Sequence, residues 1–248
     1  MTRVWRLVSP YDRGATARMF ASLDAVFALE GELISRDPQS EMLRVEVDGT
    51  RYYVKRYRRA AKNPLRRWFG RPRVQAEWEN MRAFVQWNLP CAPVVGYGLE
   101  RRALAFTRGA MITREVPGTN DLAQLARARD PRLSTRAWLA AIVPQAARIA
   151  RALHDHHFAH NDLKWRNLLV DATPTLYLID CPGGQRWPGP FLRYRSLKDL
   201  ACLDRMAKRH LSRTWRLRFF HAYTGRSRLT DADKRMIGRI VHFFAGRE

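Results

Sequence analysis

Acidic residues are scarce in this 248-residue chain. It carries 23 Asp and Glu against 45 Lys and Arg, a formal charge of +22 and a pI of about 11.2. That excess says nothing about fold, but it points to an anionic partner: nucleic acid, an anionic membrane surface or a phosphorylated glycan. Cysteine is scarce too. Cys91, Cys181 and Cys202 are scattered and no CxxC occurs, so neither a zinc site nor a disulfide framework is expected. No stretch reaches the roughly 18 apolar residues that a membrane-spanning helix needs. The opening MTRVWRLVSPYDRG lacks the apolar centre of a secretory signal. A reduced, cytoplasmic setting is therefore expected, with any membrane contact peripheral. Internal repeats and low-complexity linkers are missing as well.

What is present suits a folded chain with a real core: 46% of residues are hydrophobic and 11% aromatic. Residues 12–29 read as a helix, with Met19, Phe20, Leu23, Val26 and Phe27 at helical spacing. Extended segments follow at Gly31–Ser35, Met42–Val47 and Arg51–Tyr57, the last two joined by the hairpin signal Asp48-Gly49. Val74–Trp87 returns to helical periodicity, and three further strands are expected at Val94–Leu99, Ala103–Arg108 and Met111–Glu115. Pro117-Gly118 marks a break. Beyond it, helices are expected at 120–129, 135–157, 196–224 and 230–245, with two short strands around Thr173-Pro174. The layout is α+β and bilobal. A lobe with an antiparallel sheet and a helix (1–115) would bind nucleotide, and a mostly helical lobe (116–248) would be catalytic, with a cleft between them.

The stretch from His160 to Asp180 carries the chemistry. Asp162 is followed five residues later by Asn167, then by the apolar run Leu168-Leu169-Val170, a turn, a second apolar run and Asp180. One carboxylate to accept or orient a hydroxyl proton, and two oxygen ligands for Mg²⁺, form the polar skeleton of a phosphoryl-transfer site. Lys164 is spaced to reach the transferred phosphate. Mg²⁺ needs few protein ligands when phosphate oxygens and water complete its shell, so Asn167 and Asp180 suffice. Each of these residues alone would be an ordinary polar turn residue; the joint spacing is what carries the reading. His154, His156, His157 and His160 look like a metal cluster but lack an acidic or cysteine complement, and structural roles are expected of them.

Upstream, Lys55 lies on the third extended segment and Glu77 on the helix that follows. A strand lysine held by a helix glutamate can reach nucleotide phosphates. Glu79 is two residues away and stays open as the alternative partner.

The set Lys55, Glu77, His160-Asn161-Asp162-Leu163-Lys164-x-x-Asn167 and Asp180 resembles the protein-kinase-like enzymes. More narrowly it is similar to the bacterial lipopolysaccharide core sugar kinases. The narrower likeness rests on size, basicity and the tail Leu211-Ser212-Arg213-Thr214-x-x-Leu217-Arg218-Phe219-x-x-Ala222-Tyr223. It implies an ATP- and Mg²⁺-dependent kinase that phosphorylates heptose or Kdo of the core glycolipid at the cytoplasmic face of the inner membrane. The resemblance has departures. No Gly-x-Gly-x-x-Gly precedes Lys55, where the turn reads Ser35-Arg36-Asp37-Pro38-Gln39-Ser40. Asn161 stands where arginine is usual, Cys181-Pro182 follows Asp180, and no Ala-Pro-Glu occurs. These departures point away from a regulated protein kinase and toward a compact glycan or small-molecule kinase. Asp199 is expected to brace the catalytic loop through backbone hydrogen bonds.

Arg51 to Arg73 holds ten basic residues and no acid, with Tyr52, Tyr53, Tyr57, Trp68 and Phe69 interleaved. Arg205 to Arg218 holds six more, again without an acid. Such stretches suit an anionic glycolipid acceptor, an anionic membrane surface, nucleic acid or simply solvent. The leading expectation is glycolipid and membrane. A protein kinase or another small-molecule kinase of the same fold, a pseudokinase and a nucleic-acid-binding module stay open as rivals.

Overall fold

The computed structural model describes residues 1–58, 68 and 70–246. It divides into two compact units: Met1–Ala83 with Ala92–Val116, and Phe84–Cys91 with Pro117–Glu248.

The first unit is built on a six-stranded antiparallel sheet. Its strands are β1 (Thr2–Leu7), β2 (Glu32–Arg36), β3 (Ser40–Val47), β4 (Thr50–Tyr57), β5 (Val94–Arg102) and β6 (Ala105–Arg114), in the order β1-β5-β6-β4-β3-β2. Asp48 and Gly49 both take positive φ (47° and 70°), which the tight β3–β4 turn requires. Leu43, Val45, Val47, Tyr52, Val54 and Ile112 bury one face of the sheet against Phe20, Leu23 and Val26. Side chains alternate along a strand, so Lys55, in register with Met42 and Met111, projects from the opposite face. Helix α3 (Arg73–Gln86) supplies Glu77 to that lysine.

Three expectations for this unit need correction. The helix expected over 12–29 is two short helices, α1 (Gly14–Met19) and α2 (Leu23–Ala28). The Phe20 carbonyl accepts from the Trp5 indole at 2.8 Å, and the Ser22 hydroxyl caps the Ala25 N–H at 3.1 Å. Both contacts stop the first helix and restart the second. Strand β1, absent from the sequence reading, pairs antiparallel with β5. The two strands expected over 103–115 are one, β6. Gly109 is not a turn there: a Cβ would come within 2.8 Å of Val74 Cγ1 and 2.9 Å of the Gly98 carbonyl, so it marks a close approach.

The second unit holds helices α4 (Leu122–Arg127), α5 (Arg136–Asp155), α6 (Gly189–His210), α7 (Arg213–Thr224) and α8 (Asp231–Val241). Its strands are short: β7 (Asn120–Asp121), β8 (Phe158–Ala159), β9 (Leu168–Val170), β10 (Leu176–Leu178) and β11 (Gln185–Arg186). They form the sheets β10-β9-β7 and β11-β8. The helix expected over 196–224 starts seven residues earlier and is two helices, because Ser212 accepts from the Trp215 N–H and begins α7. The early start follows from Pro190, which is tolerated in a first helical turn where no N–H is needed. Residues Phe84–Cys91 group with this unit through their packing. Phe84 meets Phe158 edge-on at 5.6 Å, Trp87 stacks on His156 at 4.3 Å, and the Leu178 N–H donates to the Pro90 carbonyl at 2.8 Å. Among the described residues, no helix is long and apolar enough to cross a membrane.

Candidate active site

In the first unit, Lys55 Nζ lies 3.2 and 3.1 Å from the two carboxylate oxygens of Glu77. Both side chains are largely buried, at 13% and 5% exposure, so the pair is screened far less than a surface ion pair. The Tyr57 hydroxyl also donates to Glu77, and its ring lies 5.4 Å from Lys55 Nζ. Glu79, the alternative partner, is engaged elsewhere: it accepts from Arg71 at 2.7 Å and from Gln75 at 2.8 Å. The helix register therefore selects Glu77.

The turn between β2 and β3 sits where a glycine-rich loop would be expected. Asp37 Oδ1 accepts from the backbone N–H groups of Gln39 (2.7 Å) and Ser40 (2.9 Å), so those donors are already used within the turn. Buried Glu41 collects Arg36 (3.0 Å), Arg58 (2.9 Å) and Arg56 (3.4 Å). Glu41 is in register with Arg56, and so on the sheet face away from Lys55.

In the second unit, the loop after β8 gathers the other predicted residues. Asp162 accepts from Lys164 Nζ at 2.5 Å on one oxygen and from Arg166 at 3.0 Å on the other. Burial pushes its pKa up. The hydrogen bonds and charges of Lys164 and Arg166 outweigh this and hold the carboxyl below its ordinary value. A single 3₁₀ turn, Trp165–Asn167, returns the chain so that the Asn167 Nδ2 donates to the Asp162 carbonyl at 2.8 Å. The amide nitrogen is thereby spent inside the loop, and the oxygen is the half of the group that can serve as a ligand. The Ile179 N–H donates to the Asn167 carbonyl at 3.0 Å, which ties the residue before Asp180 to Asn167. Asp180 itself adopts φ +56°, a left-handed conformation uncommon outside glycine, and one met at functional sites.

The loop is held from below. The His160 N–H donates to Asp199 Oδ2 at 2.7 Å, and both residues are fully buried. Burial pushes the His160 ring toward its neutral form. His154 Nδ1 shares a hydrogen bond with the Tyr223 hydroxyl at 2.9 Å. Asn161, also at positive φ (65°), donates to the Gly183 carbonyl at 2.8 Å and accepts from Arg195 at 3.4 Å. Sequence reasoning missed Arg166 and Arg195. Arg166 was legible as an i, i+4 partner of Asp162. Arg195 belongs to the stretch 181–198, which contains no acidic residue.

The basic stretches are partly committed to internal contacts. Residues 59–67 and 69 of the first stretch, including Arg59, Arg66 and Arg67, lie outside the described residues. Arg56 is buried and donates to the Val26 and Leu29 carbonyls. In the second stretch, Arg216 makes two 2.7 Å bonds to Asp204.

The paired strand lysine and helix glutamate of the first unit, and the Asp-x₄-Asn loop and following aspartate of the second, are the residue types that a protein-kinase-like phosphotransferase uses. The model of the lipopolysaccharide kinase (Kdo/WaaP) family matches residues 26–235, and the chain belongs to that family. It is therefore a kinase of lipopolysaccharide core biosynthesis. A solved structure described as WaaP in complex with acyl carrier protein shares the fold. Its TM-score is 0.75 at 24% identity, over 98% of this chain and 97% of that one. No curated protein sequence matches the chain.

Proposed function

We propose that the chain transfers the γ-phosphate of ATP to a heptose or Kdo hydroxyl of the inner core, working at the cytoplasmic face of the inner membrane. The observation that carries this reading is the buried Lys55–Glu77 pair, whose bidentate geometry (3.2 and 3.1 Å) fixes a cation for nucleotide phosphates. In the second unit, Asp162 orients the attacking hydroxyl. Its carboxyl is held ionised by Lys164 and Arg166, so it positions the hydroxyl throughout the neutral range and takes the proton late. Lys164 and Arg166 leave a net positive charge around Asp162, which favours an acceptor bearing phosphate or carboxylate beside the reacting hydroxyl. Asn167 and Asp180 fit Mg²⁺: both offer hard oxygen atoms, and the Ile179–Asn167 hydrogen bond couples their positions. Asn167 and Asp180 would hold such an ion, and its charge would offset that of the phosphate oxygens.

An acyl carrier protein is the partner we propose. The second unit contains an apolar cavity of about 560 Å³, lined by residues such as Trp138, Ile142, Leu203, Leu217 and Ile237. Its size and lining suit an acyl chain.

The deciding experiment is ATP turnover on purified core glycolipid from a kinase-deficient strain, with mass spectrometry of the product. A mass gain of one phosphate on the core, lost in Asp180→Ala, is the expected result. Normal turnover in Asp180→Ala overturns the site assignment.

A further inference from the structure

Between Asp180 and Asp199 the chain carries no acidic residue but has Arg186, Arg193, Arg195 and Lys198. The same stretch begins α6 with large aromatic side chains turned outward: Phe191 is 63% exposed and Tyr194 47%. Their rings join a larger surface. Trp187 lies 6.3 Å from Phe191 and carries the Arg195 guanidinium at 4.6 Å. Tyr194 meets Phe243 at 5.7 Å, and Phe243 meets Phe244 at 5.0 Å. Two segments far apart in sequence, the first turns of α6 with Trp187 just before them and the residues after α8, thus build one aromatic surface, with Arg195 between the Trp187 and Tyr194 rings. Single exposed apolar side chains are ordinary; a merged aromatic patch with cations of one sign is not.

We propose that this surface is the membrane-docking face of the protein, and that its occupant is an anionic phospholipid bilayer. Charge complementarity favours an anionic partner. An exposed phenylalanine, which cannot hydrogen-bond, gains most from the apolar part of a lipid interface, while arginine remains at the headgroups. The placement follows the chemistry. Asn161, next to Asp162, is bonded to Gly183 and Arg195 within this stretch. A bilayer bound here therefore engages the segment that supports the loop of Asp162. The consequence for acceptor presentation rests on the function proposed above; the lipid contact does not. The docking face also meets one of the two basic runs, because the Arg205 guanidinium lies 5.4 Å over the Phe244 ring.

The test uses the full chain and co-sedimentation with vesicles of phosphatidylglycerol and phosphatidylethanolamine, with phosphatidylcholine vesicles as the neutral reference. Wild-type protein should bind the anionic vesicles, and less so as salt rises. Phe191→Ser with Arg205→Gln, which removes the guanidinium 5.4 Å over the Phe244 ring, should weaken that binding by about tenfold or more. Turnover on a soluble deacylated core should be unchanged, and turnover on bilayer-embedded core should be lost. Arg205→Gln alone, at an exposed position, is the second variant should the first fold poorly, and should weaken binding about fivefold at low salt. Unchanged vesicle binding in these variants overturns the proposal. So does a loss of affinity for acyl carrier protein with vesicle binding intact, which would make this an acidic-protein surface. If vesicle binding responds as expected but no protein turns over any core substrate, the docking face stands and the proposed function falls.

Discussion

Asn167 donates its side-chain nitrogen to the backbone carbonyl of Asp162 at 2.8 Å, so the proposed metal ligand also closes the loop that carries the proposed base. One side chain serves two roles that substitution can separate. Asn167→Ala removes both the ligand oxygen and the loop bond. Asn167→Asp keeps an oxygen ligand but loses the donor. We expect Asn167→Ala to lower turnover by roughly 10²-fold and Asn167→Asp to retain more metal affinity than Ala. Mg²⁺ titrations of turnover for both variants check this. Equal Mg²⁺ dependence in the two would mean that the oxygen is not a ligand.

The Lys55–Glu77 pair acts as a unit, so its losses should not add. Lys55→Met and Glu77→Gln should each impair turnover, and the double variant should be little worse than Lys55→Met. Glu79→Gln should be nearly silent, because Glu79 is occupied by Arg71 and Gln75. Steady-state rates of the four proteins decide. An additive double variant would separate the roles of Lys55 and Glu77.

Why was this pair legible beforehand and other features not? Lys55 and Glu77 stand on strongly patterned elements, a strand after an Asp48-Gly49 turn and a 14-residue helix, so spacing alone brought them together. Choosing Glu77 over Glu79 required knowing which way the helix faces. Asp162, Asn167 and Asp180 were legible for a similar reason, since apolar runs fix the loops between them. The losses came where tertiary contacts override local pattern. The break between α1 and α2 depends on the indole of Trp5, fifteen residues from the Phe20 carbonyl it occupies. Gly109 falls in the gap left between two expected strands, but its lack of a Cβ answers to Val74 and Gly98 within one continuous strand. The aromatic surface of α6 brings Tyr194 against Phe243 near the other end of the chain, a pairing that no periodicity reports.

Lys164 should set the acid side of the pH profile. In the fold, the Asp162 pKa is lowered because Lys164 and Arg166 outweigh the effect of burial. The ionised form, and the stability it brings, is therefore present above the unfolded-state carboxylate pKa and lost only as pH falls through the lower folded value. Lys164→Met removes the stronger of the two opposing contacts, and burial then pushes the Asp162 pKa up. The acid limb of kcat/KM should move to higher pH in this variant. A profile superimposable on wild type, at reduced height, would leave Lys164 acting on phosphate alone.

Asp199 provides the last test, because it supports the loop without facing the reaction. Its buried carboxylate accepts from the His160 N–H at 2.7 Å. Asp199→Ala would leave that N–H buried without its partner, at a cost of roughly 2–4 kcal/mol. In a chain of this size that corresponds to a fall in Tm of about 5–15 °C. Asp199→Asn keeps an oxygen acceptor in nearly the same shape and should recover most of the loss. Thermal melting separates the two variants. Turnover should fall in Asp199→Ala below the temperature at which it melts, with ATP affinity unchanged, because the displaced group is the Asp162 loop and not Lys55. If ATP affinity fell with turnover, Asp199 would be holding the second unit as a whole and not the loop alone.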